Sequence, residues 1–204
     1  MYFLTSQWFI KIFYPSLVWN IPTKEKTIFL TFDDGPTPEI TEKVLDLLKQ
    51  YNAKATFFCL GKNVAAHQDI YQSIINQGHA TGNHSYNHLH GWKTDDAIYF
   101  DDVQKCNEEV NSHLFRPPYG RIKFSQIKKL KQNYKIIMWD ILSGDFDKNL
   151  SKEKSLSVLL NNIRKDSIVV YHDSIKGSEK MFHSLPIILE QFSAKGFRFD
   201  SIKL

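Results

Sequence analysis

From Lys26 to the C-terminus, short runs of apolar residues alternate with segments whose apolar residues recur every three or four positions. The short runs are rich in β-branched and aromatic residues and end at turn-forming residues, a pattern typical of strands. They predict strands at residues 27–32, 55–60, 79–83, 114–116, 135–139, 167–171 and 197–199. The runs at 135–139 and 167–171 are continuously apolar, which indicates parallel strands covered on both faces.

The segments between these runs have the spacing of amphipathic helices. One helix is expected to begin at Pro38, one to end before Gly78, and a mostly polar one to span residues 95–111. Three more are marked by apolar stripes within residues 124–130, 156–163 and 187–192. Regular alternation of strand and helix predicts right-handed crossovers and a parallel α/β sheet, either open or closed into a barrel. No linker or repeat divides the chain, so we expect a single domain.

The first 26 residues form an apolar lead before this alternation. Lys11 interrupts it and Pro15 follows, so no uncharged run reaches the roughly 18 to 20 residues of a transmembrane span. It also lacks the basic start, the unbroken apolar block and the small-residue cleavage site of a secretory signal. We expect residues 1–26 to pack on the domain as an amphipathic stretch, with peripheral membrane contact as the alternative. Localisation stays open between the cytoplasm and the cell envelope.

Composition narrows the class of protein without naming a partner. With 204 residues, 42% hydrophobic and 24% charged, the chain is an ordinary globular protein, neither collagen-like nor disordered. A formal net charge of +4 is too small for a nucleic-acid-binding surface. Cys59 and Cys106 are far apart in the sequence, and we expect two reduced thiols rather than a disulfide scaffold. We also expect a monomer.

Residues able to do acid–base or metal chemistry follow the predicted strands directly. In a parallel barrel the carboxyl ends of all strands meet at one face, so residues distant in sequence converge there. The residues in this position are Asp33, Asp34, His84, His88, Arg116, Asp145 and His172. We therefore expect one functional site at that face.

Three of these residues form a candidate site for a divalent metal ion. His84 and His88 are four residues apart, close enough to reach one ion, and Asp34 provides a carboxylate. Two His and one carboxylate make a common open zinc site, whose fourth position is left to water or substrate. Taken separately, the histidines also fit a surface pair, and residues 33–36 fit an ordinary turn. Two adjacent acids after a buried strand nevertheless need a cation or another partner to balance them.

The remaining residues provide a proton acceptor, a proton donor and their supports. Asp33 is free to accept a proton from a water molecule that the ion activates. Arg116 is a fixed donor that can keep Asp33 ionised. His172 titrates near neutral pH, and pairing with Asp145 would keep it protonated as a general acid. Taken separately, Arg116 also fits a surface ion pair, and His172 fits a core histidine beside Asp173.

Four sequence motifs resemble, in order, those of the NodB-like polysaccharide deacetylases, carbohydrate esterase family 4. Thr31-Phe32-Asp33-Asp34-Gly35 is similar to the first motif and His84-Ser85-Tyr86-Asn87-His88 to the second. Arg116-Pro117-Pro118-Tyr119-Gly120 is similar to the third and Val170-Tyr171-His172 to the last. The resemblance begins near Thr27 and continues to the C-terminus.

This resemblance implies a distorted (β/α)7-type barrel with parallel strands, and removal of acetyl groups from a sugar with a divalent metal ion, usually zinc. It divides the chain into the lead of residues 1–26 and a catalytic domain of residues 27–204. Carried over by position, the functional residues would be the base Asp33, the acid His172, their supports Arg116 and Asp145, the metal ligands Asp34, His84 and His88, and the backbone N–H of Tyr119 as oxyanion donor.

The fourth motif departs from the family pattern. Where the family has Asp-x-x-Asp-Trp, this chain has Leu142-Ser143-Gly144-Asp145-Phe146, which keeps only the second acid and replaces Trp by Phe. Asp145 therefore keeps its supporting role. The substrate-facing residues implied by the resemblance are Pro118, Tyr119 and Phe146, and the change to Phe alters the groove wall that sets substrate preference.

We expect hydrolysis of N-acetyl groups on N-acetylglucosamine-containing glycans of the peptidoglycan or chitooligosaccharide type. Two alternatives stay open, namely O-deacetylation of a polysaccharide such as xylan and a catalytically silent metal- or sugar-binding protein. Binding alone requires neither Asp33 nor His172, which counts against the silent protein.

The aromatic residues of the motif loops and a lysine-rich run each have two interpretations. The aromatic residues of the motif loops are packing residues or platforms for sugar rings: Tyr86, Trp92, Tyr119 and Phe146. The lysine-rich run 123–135 is expected to be a solvated helix face, with contact to an anionic glycan as the alternative.

Overall fold

A computed structural model describes residues 4, 5 and 8–204 of the chain. In this part, eight parallel strands form one sheet in the order β5-β4-β3-β2-β1-β7-β6, with β8 paired to β1. The strands are β1 (Thr27–Asp33), β2 (Ala55–Cys59), β3 (Ala80–Asn83), β4 (Leu114–Phe115), β5 (Lys135–Ile136), β6 (Ile141–Leu142), β7 (Ile168–His172) and β8 (Arg198–Phe199).

Helices lie between most successive strands, as the alternating pattern predicted, but β5 and β6 are joined by residues 137–140 without a helix. The described helices are α1 (Trp8–Phe13), α2 (Ile40–Gln50), α3 (Gly61–Ala66), α4 (Gln68–Asn76), α5 (Asp96–Val110), α6 (Phe124–Leu130), α7 (Lys152–Asn162) and α8 (Ser178–Ala194). The curled parallel sheet confirms the predicted distorted barrel in a single domain. β5 and β6, at the two ends of the strand order, do not pair with each other in the described residues, which leaves a gap in the barrel wall.

The central strand β1 organises the core. All seven of its residues are buried, and the ring of Phe32 stacks at 5.0 Å on Phe57 and at 5.9 Å on Tyr171. Burial of large aromatic side chains supplies much of the hydrophobic free energy of such a core. The register of β1 with β7 pairs Asp33 with His172. Hydrophobic packing therefore aligns the two strands so that both residues reach the same end of the barrel.

The apolar lead crosses the gap between β5 and β6. Thr5 forms an antiparallel bridge with Ile141, and Val18 forms a parallel bridge with Ile137. Lys11 Nζ lies 3.1 Å from the buried carboxylate of Asp140. Further along the lead, two large side chains are buried against the barrel, those of Leu17 and Trp19. Residues 1–3, 6 and 7 of the predicted lead lie outside the described residues.

Three elements differ from the sequence prediction. The strand predicted at 135–139 stops at Ile136, because its partner β4 has only two residues and ends opposite Ile136 at Phe115. Ile137 then forms an isolated bridge with Val18 of the lead. β6 was not predicted, since two residues are too short for a recognisable pattern. α3 was also not predicted, because only Gly61 and Val64 are buried and no apolar stripe marks it.

Two further findings concern the cysteines and the length of the helices. Cys59 and Cys106 are both free, as predicted, and the structure places both in the interior. No described helix is long and apolar enough to cross a membrane.

Candidate active site

The residues predicted to form one site line a single cleft at the carboxyl ends of the strands. The cleft has a volume of about 930 Å³. The predicted residues along its wall are Asp33, Asp34, His84, His88, Tyr119, Phe146 and His172. Arg116 and Asp145 are fully buried behind the wall, where each contacts one of these residues. The structure thus brings together residues from five different strand ends.

Asp34, His84 and His88 form the part of the site suited to a metal ion. One oxygen or nitrogen atom from each of the three side chains lies within 4.8 Å of the others. Asp34 Oδ1 is 3.2 Å from His88 Nε2 and 3.7 Å from His84 Nε2. Ligand atoms of a tetrahedral zinc site are about 3.3 Å apart, given metal–ligand distances of about 2.0 Å. Asp34 Oδ1 is also buried without a hydrogen-bond partner, so the donor set fits a divalent cation.

The protonation of the two histidines is also suited to a metal ion. His84 Nδ1 donates a hydrogen bond of 2.8 Å to the carbonyl of Arg116, which leaves the lone pair of Nε2 directed toward Asp34. Burial and the nearby His88 lower the pKa of His84 to about 3. Burial likewise lowers the pKa of His88. Because metal ions bind neutral imidazole, both residues are ready to act as ligands at neutral pH.

Arg116 fixes Asp33 at the base of the cleft. Its Nη1 donates to Asp33 Oδ1 at 2.7 Å, and its other donors bond Thr31 Oγ1 and the carbonyls of Ile137 and Met138. Arg116 has no solvent exposure, and burial lowers the pKa of its guanidinium. Since a buried carboxylate needs a paired charge, this contact accounts for a charged Asp33 inside the protein.

His172 and Asp145 form a second buried pair. His172 Nδ1 is 2.8 Å from Asp145 Oδ1, and the backbone N–H of His172 donates to Asp145 Oδ2 at 2.7 Å. Burial lowers the pKa of His172, but the charge and hydrogen bond of Asp145 raise it more, to about 9. The imidazole is therefore protonated at neutral pH, and its Nε2–H is left to reach the cleft.

Comparison with known proteins identifies the family. The model of the family described as polysaccharide deacetylase matches residues 20–135. A peptidoglycan-N-acetylglucosamine deacetylase of Bacillus cereus is 36% identical over 189 residues, which cover 89% of this chain and 68% of the relative. The chain belongs to the polysaccharide deacetylase family. This deacetylase is therefore a hydrolase that acts on carbon–nitrogen bonds of acetylated carbohydrate.

Two further relatives extend the comparison. The peptidoglycan-N-acetylmuramic acid deacetylase PdaA of Bacillus subtilis is 30% identical over 202 residues, which cover 88% of this chain and 76% of the relative. The deacetylase also resembles the crystal structure of the Bc1960 peptidoglycan N-acetylglucosamine deacetylase in complex with 4-naphthalen-1-yl-N-oxidanyl-benzamide. The TM-score is 0.88 at 32% identity, with 97% of this chain and 95% of that chain covered. This similarity over nearly the whole chain confirms the deformed barrel.

The third motif of the deacetylase is held by aromatic contacts. Tyr119 has a left-handed φ of 59°, and its ring lies 4.5 Å from His88 and 5.2 Å from His90. Pro118 is buried, and the neighbouring Pro117 lines the cleft instead. The rings of His88 and His90 therefore support the backbone turn that carries the Tyr119 N–H.

The four aromatic residues of the motif loops have different surroundings. Tyr119 and Phe146 line the cleft, and the edge of Phe146 packs 5.0 Å from the ring of His172. Tyr86 instead packs against Lys105, and Trp92 donates to the carbonyl of Ile122, and neither is part of the cleft wall. Within the described residues, Tyr119 and Phe146 are thus the members of this set available to a sugar ring.

Sequence reasoning missed two buried aspartates that hold the motif loops of the deacetylase. Asp102 of α5 accepts hydrogen bonds from Tyr86 N at 2.9 Å, Asn87 N at 3.0 Å and Asn87 Nδ2 at 2.6 Å. Asp173 accepts from Gly35 N at 3.1 Å and Thr41 Oγ1 at 2.5 Å. Burial raises the pKa of Asp173 to about 8. The sequence did contain a signal for Asp102. It lies on the buried face of α5 among apolar residues, and a carboxylate in that position needs hydrogen-bond partners.

Proposed function

We propose that this deacetylase hydrolyses the N-acetyl group of N-acetylglucosamine residues in peptidoglycan, with a divalent ion, zinc, bound by Asp34, His84 and His88. Two similar proteins that match over most of this chain, the Bacillus cereus deacetylase and Bc1960, are peptidoglycan N-acetylglucosamine deacetylases, and these support the choice of sugar. PdaA acts on N-acetylmuramic acid and supports peptidoglycan as the polymer. One observation supports the chemistry above all. Asp33 and His172 are neighbours in the β1–β7 register, yet Arg116 pairs with the first and Asp145 with the second. Opposite partners suit one residue to accept a proton and the other to donate one.

The metal ligands contribute position and charge. A divalent ion bound there would supply Lewis-acid polarisation of the acetamide carbonyl and of water. Asp34 brings one negative charge to the cation, and the neutral histidines bring lone pairs held at fixed angles by the protein. The chain supplies three ligands, so a coordination position stays open to water or substrate.

Asp33 acts as the general base in this proposal. Its Oδ1 is occupied by Arg116, whereas Oδ2 lies 4.0 Å from His84 Nε2, on the side of the metal ligands. Oδ2 accepts a proton from the attacking water as the new carbon–oxygen bond forms. The backbone N–H of Tyr119 donates to the carbonyl oxygen as negative charge develops on it.

His172 acts as the general acid. Asp145 binds its Nδ1, so the proton on Nε2 is the one given to the departing nitrogen as the carbon–nitrogen bond breaks. The products are acetate and a free amine on the sugar. Phe146 and Tyr119 form walls of the cleft beside these reacting groups and would pack on the sugar, while Pro118 holds the turn that carries Tyr119.

Acetate release from peptidoglycan, N-acetylated chitooligosaccharides and acetylated xylan tests the proposal. We expect release from the first two substrates, loss of activity on chelation, and recovery with zinc. Asp33→Asn and His172→Ala should each lower kcat by about 10²-fold or more. The control Asp46→Asn removes an exposed carboxylate from α2 and should leave kcat unchanged.

The same assay decides between the alternatives. Faster release from xylan than from either N-acetylated glycan would favour an O-acetyl esterase. Zinc binding without turnover of any of the three substrates would favour a silent binding protein. Undiminished activity of Asp33→Asn would contradict the assignment of the base.

A further inference from the structure

Two sequence features that the proposed function does not use meet on the outer face of the barrel. They are the apolar lead and the lysine-rich run 123–135, which are separated by about a hundred residues of chain. The rings of Tyr14 and Phe124 stack with centroids 5.0 Å apart and planes 6° apart, which joins the end of α1 to the start of α6. We call the surface formed by Ile12, Phe13, Phe124, Lys128 and Lys131 the α1–α6 surface.

Its apolar residues are unusually exposed. Ile12, Phe13 and Phe124 are 63%, 69% and 66% exposed, although each is large and aliphatic or aromatic. Lys11, the one charged residue of α1, is tied to Asp140 at 3.1 Å on the barrel side. The charge that interrupts the apolar sequence is therefore neutralised against the protein, and Ile12 and Phe13 are left facing solvent.

The cationic residues lie on the same helix face as Phe124. Lys128 and Lys131 follow Phe124 by four and seven positions, a spacing that places all three side chains along one side of α6. Both lysines are exposed, and neither has an ion-pair or hydrogen-bond partner in the described part of the chain. The whole run 123–135 contains five lysines and no acidic residue. The apolar side chains thus have unpaired positive charges beside them.

We infer that the α1–α6 surface docks on a lipid bilayer with anionic headgroups. Exposed aromatic and aliphatic side chains enter the boundary between headgroups and acyl chains, while adjacent lysines bind the negative surface. Charge complementarity selects this occupant, because the four exposed lysines at 128, 129, 131 and 135 would repel the same lysines on a second copy. The surface contains none of the residues that line the cleft, so the docked enzyme keeps its site open to substrate.

Flotation of the full chain with vesicles tests the inference without any substrate. We expect binding to vesicles of phosphatidylglycerol and phosphatidylcholine at low salt, and much weaker binding to phosphatidylcholine alone. Each lysine near an anionic surface is worth roughly fivefold in affinity, so Lys128→Gln with Lys131→Gln should weaken binding by about 30-fold. Phe13→Ser with Phe124→Ser should weaken it by at least tenfold at any salt concentration.

Matched controls separate docking from general charge or hydrophobicity. Lys43→Gln with Lys49→Gln removes two exposed lysines from α2, and Ile98→Ser removes an apolar residue of α5 that is 58% exposed. Both should bind vesicles as the wild type does. All variants should release acetate from a soluble chitooligosaccharide at the wild-type rate, which shows that they are folded.

Three outcomes would overturn the inference. They are no flotation with anionic vesicles at low salt, equal losses in the control variants, and a wild-type dimer in sedimentation velocity that Phe13→Ser with Phe124→Ser converts to monomer. The last would assign the surface to contact between two copies. None of these outcomes bears on the proposed deacetylation, because the binding assay involves no catalytic residue.

Discussion

Replacing Asp145 by Asn tests how strongly this carboxylate raises the pKa of His172, the proposed general acid. Asp145 is fully buried and lies 2.8 Å from His172 Nδ1, so Asn occupies nearly the same volume without the charge. In the wild type, burial lowers the pKa of His172 while Asp145 raises it, and the net value is about 9. Without the charge of Asp145, only the smaller effects of Asp34 and Asp33 still oppose burial, and the pKa of His172 should fall to about its ordinary 6.5.

The size of the effect follows from these values. A rise from 6.5 to about 9 corresponds to about 3 kcal/mol in favour of the imidazolium. At pH 8 about nine-tenths of the wild type would carry the proton, against about 3% or less of Asp145→Asn. The variant should therefore lose roughly 30-fold or more in kcat/KM at pH 8, and the gap should narrow toward pH 5.5. A cation at Asp34 would shift both profiles in the same direction and preserve their difference.

The profile of kcat/KM against pH is the assay, with Asp46→Asn as the control. The raised pKa of His172 stabilises the folded state fully below pH 6.5, and this stabilisation is lost as pH rises toward 9. Urea denaturation should therefore show the wild type losing up to about 3 kcal/mol relative to Asp145→Asn across that range. A pH-independent loss of activity in Asp145→Asn, with parallel stability curves, would refute the reasoning.

Other changes test the supports of the site. Asp102→Asn should weaken zinc binding by about 10- to 100-fold in a competition titration with a chromogenic chelator, because three N–H donors of the histidine loop lose a charged acceptor. The exposed neighbour is its control, and Asp101→Asn should bind zinc as the wild type does. Gly35→Ala would place a Cβ 2.0 Å from Asp173 Oδ2, so urea denaturation should show a loss of about 1–3 kcal/mol. An unchanged unfolding free energy would mean that the Asp173 side chain can move aside.

The strands that form the centre of the sheet could be predicted because they are buried on both faces. β7 has a continuous apolar run and β1 is rich in β-branched and aromatic residues, and the pairing of these two strands has the longest register in the described sheet. The end of β5 could not be predicted in the same way. Residues 137–139 are as apolar as a strand, but the partner strand β4 ends at Phe115, opposite Ile136, and the pattern within 135–139 does not reveal where the partner ends.

The candidate site could be located from the sequence because its residues follow strands directly. Parallel strands end on one face, so position along the chain was enough to group Asp33 with His172. The roles of Asp102 and Asp173 depend instead on which loop each one forms hydrogen bonds with in the folded protein. Asp102 belongs to α5, which contributes no residue to the cleft wall in the described structure, and its partners lie about fifteen residues away in sequence.

Backbone strain explains why such remote supports matter to this site. Asp34, Ser85, His88 and Tyr119 have φ values of 80°, 63°, 62° and 59°, a left-handed conformation that costs non-glycine residues about 1–3 kcal/mol each. Glycine would relieve the strain, but it would also remove the carboxylate and imidazole that the chemistry needs. The loops are therefore held in place from outside. Asp102 accepts hydrogen bonds from the histidine loop, and Asn63 Nδ2 donates to the carbonyl of Asp34 at 2.7 Å. The ligand geometry thus depends in part on α5, a helix that contributes no residue to the cleft wall in the described structure.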